Sequence, residues 1–152
     1  MNLTPLLVFL HVSGVVVWVG GMFFAYTCLR PAAVDVLEPP FRLKLWKRVF
    51  DRFFPLVGVA VAFILVSGVV MLARAGFAQA PLHWHVMFAL GLVMTAVYAG
   101  IVAVPFRLLG EAVAASNWPA GGNALGSIRK LVGFNLIVGF VTIAVATLGR
   151  WL

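Results

Sequence analysis

The chain alternates between long apolar stretches and shorter basic segments, and four of the apolar stretches are about as long as a membrane helix. None of the four contains Asp, Glu, Lys or Arg, and they cover residues 5–29, 53–73, 84–106 and 131–149. A helix needs about 20 mostly apolar residues to cross the hydrocarbon core of a bilayer. Lipid cannot hydrogen-bond an unpaired backbone, so each stretch is predicted to be helical. We therefore expect an all-α integral membrane four-helix bundle forming a single domain over residues 1–152.

The composition agrees with a membrane protein. Hydrophobic residues make up 64% of the chain and charged residues only 10%, whereas soluble domains carry about 25% charged residues. The first apolar stretch is not expected to be a cleaved signal. It has no basic segment before it, is longer than a signal core and ends without a small-residue cleavage site.

The basic residues are distributed unevenly between the two ends of the predicted helices. Nine of them fall in the segments that follow the first span or connect the third to the fourth, namely Arg30, Arg42, Lys44, Lys47, Arg48, Arg52, Arg107, Arg129 and Lys130, while Arg74 and Arg150 lie on the other side. Basic residues accumulate on the cytoplasmic side of membrane proteins. Both termini are therefore expected outside, in the periplasm if the membrane is a bacterial inner membrane. The net charge of +7 then marks contact with anionic lipid headgroups rather than with nucleic acid.

The segment before the second span has the pattern of a basic amphipathic helix. Its apolar residues fall on one helical stripe, and its charged residues lie away from that stripe; the apolar set is Leu43, Trp46, Val49, Phe50 and Phe53. A helix of this kind lies in the membrane interface with its apolar face toward lipid. We predict an interfacial helix that leads into the second span.

All three histidines fall in the outer half of the predicted bundle. His11 lies about two turns inside the outer end of the first span, and His83 and His85 begin the third. Ionisable side chains inside a membrane are costly and suggest a function. The alternative is a neutral imidazole that is hydrogen-bonded to nearby backbone or to interfacial water.

Helical spacing separates His83 from His85, because residues two apart point about 200° apart on a helix. His83 shares a stripe with Met87, whereas His85 shares one with small or aliphatic residues. His85 is expected to turn inward toward His11, although a helix starting one residue earlier or later would exchange the two histidines. On the first span, His11 shares a stripe with Gly14 and Trp18, where glycine would let another helix or a flat cofactor approach.

The residues that are missing narrow the chemistry. The four acidic residues, Asp35, Glu38, Asp51 and Glu111, all lie on the predicted inner side. This argues against a proton relay through the spans and against catalysis by paired carboxylates. The sequence also has no phosphate-binding glycine loop and no convincing serine or cysteine triad. Imidazole and thioether remain, and these are ligands for haem iron and copper.

Several segments resemble the small bacterial CopD-like membrane proteins. They are LHVSGVVVWVGGMFFAYTCLRPAA, FDRFFPLVGV, LHWHVM and IRKLVGFNLIVGF with the terminal GR. The pattern is similar, more distantly, to HemJ-type protoporphyrinogen oxidases, four-helix proteins linked to haem b. That resemblance implies a role for His11, but the third span lacks the lysine of the second HemJ motif.

Three functions are consistent with these patterns. The first is a haem b protein with His11 and His85 as axial ligands beside Trp18 and Gly14, transferring electrons to or from a quinone or a periplasmic redox partner. The second is copper binding or transport by an outer-face site of His83, His85 and Met87, with His11 deeper and a periplasmic copper partner. The third is a HemJ-like porphyrinogen oxidase. Enzymatic activity and homo-oligomerisation are left open.

The charge pattern generates a topology prediction. Reporter fusions should place both termini and residues 75–82 outside, and residues 32–52 inside, because nine basic residues lie on one side against two on the other. The measurement is the activity of paired periplasmic and cytoplasmic reporters fused at each position. A cytoplasmic N-terminus would contradict the prediction and would move the histidines to the inner side.

Overall fold

The computed structural model describes residues 3–149, and within that range it contains helices and turns but no strand. Its helices are α1 (Thr4–Val36), α2 (Pro39–Ala75), α3 (Leu82–Ala103), α4 (Pro105–Ala114) and α5 (Trp118–Leu148), with a short 3-10 turn at Phe77–Gln79. α1, α2, α5 and the combined α3–α4 are each long and apolar enough to span a membrane. The predicted all-α fold with four spans is thereby confirmed. Arg150, used above in the charge count, lies outside the described residues.

The helices extend further than the apolar stretches at the end that carries most of the basic residues, which we call the inner end. α2 begins at Pro39 rather than at residue 53, and α5 begins at Trp118 rather than at residue 131. At 1.5 Å per residue, these extensions add about 20 Å to each helix. The bundle therefore continues beyond the predicted membrane core.

The predicted amphipathic segment is helical, but its apolar stripe contacts protein rather than lipid. The segment is the first part of α2, and Leu43, Trp46 and Phe50 are buried there. They form one cluster with Leu109 of α4 and Ile128 of α5. The stripe is covered because α4 and α5 extend inward alongside it, which the sequence pattern did not indicate.

Pro31, Pro55 and Pro105 have different effects on the helices that contain them. α1 continues through Pro31 after a π-helical turn at Ala25–Leu29, and such a turn changes the hydrogen-bonding register before a residue that lacks an N–H. α2 continues through Pro55. Pro105, in contrast, follows a break at Val104 and begins α4, as expected for a proline at the first helical position.

The bundle is held by two helix pairs and a shared core. α1 packs along α2, and α3 packs along α5. The central core contains buried residues from all four spans, including Trp18, Val57, Met94 and Leu136. The Trp18 ring meets the Tyr98 ring edge-on with centroids 6.2 Å apart, which joins α1 to α3 across the bundle. The Tyr98 hydroxyl also donates a hydrogen bond of 2.7 Å to the Phe54 carbonyl of α2.

α1 approaches α2 closely at Gly14. A Cβ atom placed there would lie 2.7 Å from the Ile64 side chain and 2.8 Å from the Ala60 carbonyl oxygen. The second of these is a backbone atom, so it cannot move away without shifting α2. The glycine on this stripe of α1 therefore serves close packing between two helices.

Gly14→Ala should destabilise the protein by about 1–3 kcal/mol, because the added methyl group overpacks the contact with the α2 backbone. Gly20→Ala is the matched control, since a Cβ there meets no atom within 4 Å. It should be neutral or stabilising by up to about 1 kcal/mol. The measurement is reversible denaturation of both variants in the same detergent, followed by circular dichroism. Equal stabilities of the Gly14→Ala and Gly20→Ala variants would show that α1 and α2 are not in close contact at Gly14.

Candidate functional site

His11 is hydrogen-bonded to α2 through one ring nitrogen. Its Nδ1 lies 3.0 Å from the Ser67 hydroxyl and 3.1 Å from the Ile64 carbonyl oxygen. Ser67 donates its single hydroxyl proton to the Phe63 carbonyl, so both groups facing Nδ1 are acceptors. The network therefore assigns the imidazole proton to Nδ1, and Nε2 keeps a free lone pair. Metal-binding histidines are usually oriented in this way, with the second nitrogen donating to a carbonyl or another oxygen.

Small residues of α2 allow His11 to lie against that helix. A Cβ atom added to Gly68 would be 3.4 Å from the ring carbon Cε1 of His11. Ser67 is only 1% exposed, so this hydroxyl is supplied from inside the helix pair. The sequence patterns did not indicate Ser67, and its only signal is that it is the only hydroxyl in the second apolar stretch.

The rotation of α3 is opposite to the one expected. Met94 is buried in the central core and Tyr98 contacts Trp18, and both belong to the stripe of His83 and Met87. The stripe of His85 is exposed at each following position, namely Ala89, Leu92 and Ala96. The stripe of His83 therefore faces the bundle, and the expectation that His85 turns inward toward His11 is wrong for this arrangement.

His85 instead contacts the connection between α2 and α3. Its Nε2 lies 3.0 Å from the Phe77 carbonyl oxygen, its Nδ1 lies 3.3 Å from the Pro81 carbonyl oxygen, and its ring packs edge-on against the Phe77 ring at 4.8 Å. A neutral imidazole has one N–H and can donate to only one of these carbonyls at a time. Both nitrogens face backbone oxygen, so His85 is positioned to stabilise the turn.

His83 is in the first turn of α3, and its side chain lies against the end of α5. A Cβ atom added to Gly149 would be 2.7 Å from the Cβ of His83, so α5 passes close to this histidine only because residue 149 is glycine. No residue of the described range 3–149 hydrogen-bonds to the His83 ring, and Met87 is half-buried one turn further along the same stripe. Imidazole and thioether thus share one face of α3.

Two residues expected beside a cofactor are engaged in packing instead. Gly14 contacts α2 as described above, and Trp18 is 4% exposed within the central core. The histidines also do not form a compact metal cluster, since residues 3–149 contain no group of three or more His, Cys, Asp or Glu side chains suited to hold a metal ion.

The outer end of the bundle, which carries the histidines, has few buried residues. No residue of α3 before Met94 is buried, and none of α5 after Gly139. Gly139 contacts Val19 and Met94, which places these three residues at one level. His11 and Met87 lie seven or eight residues further out, about 11 Å along the helices. The residues of α3 and α5 at the level of His11, His83 and Met87 are therefore all at least partly exposed.

Asn135 is a second buried polar group that the histidine pattern did not indicate. It is 1% exposed, and its Nδ2 donates to the Met94 carbonyl at 3.0 Å. Its Oδ1 has no hydrogen-bond partner among the described residues. The bond links α5 to α3 about 11 Å further into the bundle than His11, and it helps to fix the rotation of α3.

Comparison with known proteins gives one match. Residues 47–148 match the family model for CopD, described as copper resistance protein D, and this range is about two thirds of the chain. It includes His83, His85 and Met87 but not His11. No curated protein and no solved structure matches the chain.

The rotation of α3 can be tested with spin labels on single cysteines in a Cys28→Ser background. A label at Leu92 should be mobile and accessible to oxygen dissolved in lipid, because this residue is exposed. A label at Met94 should be immobilised and inaccessible, because this residue is buried. The measurement is power saturation by electron paramagnetic resonance in vesicles. A mobile, accessible label at Met94 and an immobilised one at Leu92 would show that His85, and not His83, faces the bundle.

Proposed function

The chain belongs to the CopD family of membrane proteins, and on this premise we propose that it binds haem b and transfers electrons near the outer surface of a bacterial inner membrane. The observation that carries the proposal is the orientation of His11. Its Nδ1 is held by Ser67 and the Ile64 carbonyl, which leaves Nε2 available as a ligand. An imidazole held in this way loses little freedom when it binds a metal.

The number of ligands favours haem over a metal ion held by protein alone. Haem iron takes one axial ligand on each face, and two residues from different helices of a bundle can supply them. His11 on α1 and His83 on α3 would hold the haem, and in support His83 lies on the core-facing stripe and has no hydrogen-bond partner within residues 3–149. The ring would lie among the partly exposed side chains of the outer end. Haem, when bound, supplies reversible one-electron chemistry at iron.

The protein itself would orient the two ligands and separate the site from the rest of the membrane core. Ser67 and Ile64 orient His11, while Gly149 lets α5 approach His83 closely. The tightly packed core around Trp18 and Met94 closes the site on the membrane side. Electrons would then enter and leave at the outer end, toward a quinone or a periplasmic protein.

Copper binding is the second candidate, and the pairing of His83 with Met87 supports it. These side chains are one helical turn apart on the core-facing stripe of α3, and both lie within the residues that match the copper resistance family. Imidazole and thioether together favour Cu(I). Met94 on the same stripe is buried in the core and would be the next soft ligand inward.

The proposed function also requires a particular orientation of the protein in the membrane. The inner end carries eight described Arg or Lys side chains between residues 42 and 130 in addition to Arg30, and the positive-inside tendency places that end in the cytoplasm. Both termini and the histidines would then face the periplasm.

Single replacements of three histidines distinguish the candidates. If haem is bound, His11→Ala and His83→Ala should each abolish the low-spin haem b spectrum, because each removes an axial ligand. His85→Ala is the matched control and should keep that spectrum, since His85 contacts the turn. The measurement is reduced-minus-oxidised absorption and metal content of each variant, purified in one detergent.

The opposite outcomes are equally clear. Wild-type protein that contains copper and no haem would refute the haem proposal, and copper loss in His83→Ala and Met87→Ala but not in His11→Ala would support the second candidate. A normal low-spin spectrum in His11→Ala would exclude His11 as a haem ligand.

A further inference from the structure

A cavity of about 290 Å³ lies at the inner end of the bundle, between α1, α2 and α5. Three arginines line it, one from each of these helices: Arg30, Arg42 and Arg129. The rest of the lining is mostly aromatic and aliphatic, and it includes Trp46 and Trp118. The cavity thus combines a cationic rim with apolar walls.

The three arginines have no acidic partners in the described structure. No Asp or Glu lines the cavity, and the only ion pair among residues 3–149 joins Lys47 to Asp51. Asp35 lies in the last turn of α1 and Glu38 in the connection to α2, but both are exposed and outside the lining. The convergence of three guanidinium groups is therefore uncompensated by the protein itself, and it suits an anionic ligand.

Two of the three arginines lie at the boundaries of predicted spans, where lipid headgroups are expected to begin. Arg30 directly follows the first apolar stretch, and Arg129 comes two residues before the fourth. The Arg30 guanidinium lies 5.4 Å from the centre of the Tyr26 ring, one turn deeper in α1. Below this level the lining continues with apolar residues such as Val132. The cavity therefore runs from a charged rim toward the hydrocarbon region.

We propose that this cavity binds the headgroup of an anionic phospholipid. Guanidinium groups bind phosphate through two parallel hydrogen bonds, and the apolar walls would contact the first part of the acyl chains. Basic pockets between membrane helices on the cytoplasmic side are suited to such headgroups. Free phosphate would use the arginines but gain nothing from the apolar walls.

The site differs from general attraction between the basic inner end and an anionic membrane. Arg48, Arg52 and Arg107 also lie at this end, but they are exposed and do not line the cavity. They provide a control in which the same charge is removed from the same end. The proposal is independent of haem or copper, since the cavity lies at the opposite end of the bundle from the histidines.

The test is native mass spectrometry of the delipidated full chain in detergent, titrated with phosphatidylglycerol. We expect one phosphatidylglycerol to bind in preference to phosphatidylcholine. The triple variant Arg30→Gln, Arg42→Gln, Arg129→Gln should weaken binding by about 100-fold, at about fivefold for each basic residue. The triple control Arg48→Gln, Arg52→Gln, Arg107→Gln should weaken it by less than about fivefold in total. Equal losses in the two variants would overturn the proposal.

A steric variant tests the same site without changing its charge. Gly126 lines the cavity, and a Cβ there meets no atom within 4 Å, so Gly126→Leu should fit and block the lipid. Gly91→Leu is the control, because a Cβ there is equally unhindered and the residue lies outside the cavity. Unchanged lipid binding in Gly126→Leu would contradict the proposal.

Two further arms identify the ligand class. Inorganic phosphate should compete only weakly with phosphatidylglycerol; phosphate that binds as tightly as the lipid would show a free-anion site and overturn the proposal. Phosphatidylcholine that binds as tightly as phosphatidylglycerol would show an apolar groove that does not recognise charge, and this result would also overturn it.

Discussion

The close contact between α1 and α2 is the constraint on which the rest of the structure depends. In a membrane, helices gain little from hiding apolar surface, so small residues that allow close packing hold them together. Gly14 lets α1 reach the backbone of α2 at Ala60. One turn further out, the same contact places His11 against Ser67 and the Ile64 carbonyl. Helix packing and the orientation of the imidazole are therefore set by one contact.

The two ends of the bundle have opposite characters as a result of their side chains. At the inner end, Trp46, Phe50 and Phe54 stack in sequence along α2, and α4 and α5 cover them. At the outer end the residues of α3 and α5 remain partly exposed, and the histidines lie there. The buried aromatic residues of the inner end hold the helices together. The inner cavity with its arginines is a separate feature of the packed end.

The candidate site could be predicted only in part. The position of the three histidines at the end opposite most of the basic residues follows from the order of spans and charges, and the pairing of His83 with Met87 follows from helical spacing. The sequence could not predict which histidine faces inward, because α3 is apolar on every side and no contrast between its faces indicates which one is buried. Met94 and Tyr98 decide the rotation by their contacts with α5, α1 and α2. Ser67 was missed because a single hydroxyl in an apolar helix has no spacing pattern.

The sequence by itself determined the number of spanning helices, their approximate positions, and the separation of basic residues from histidines. These properties are local, because lipid requires each span to satisfy its own backbone and to be long and apolar enough. Only the tertiary structure decided which faces meet, how far the helices continue inward, and which distant residues come together. Arg30, Arg42 and Arg129 line one cavity because three separate helices pack together there. Ser67 assigns the proton of His11 because two separate helices, α1 and α2, pack together at that point. Such contacts depend on the shapes of side chains, which an apolar pattern does not record.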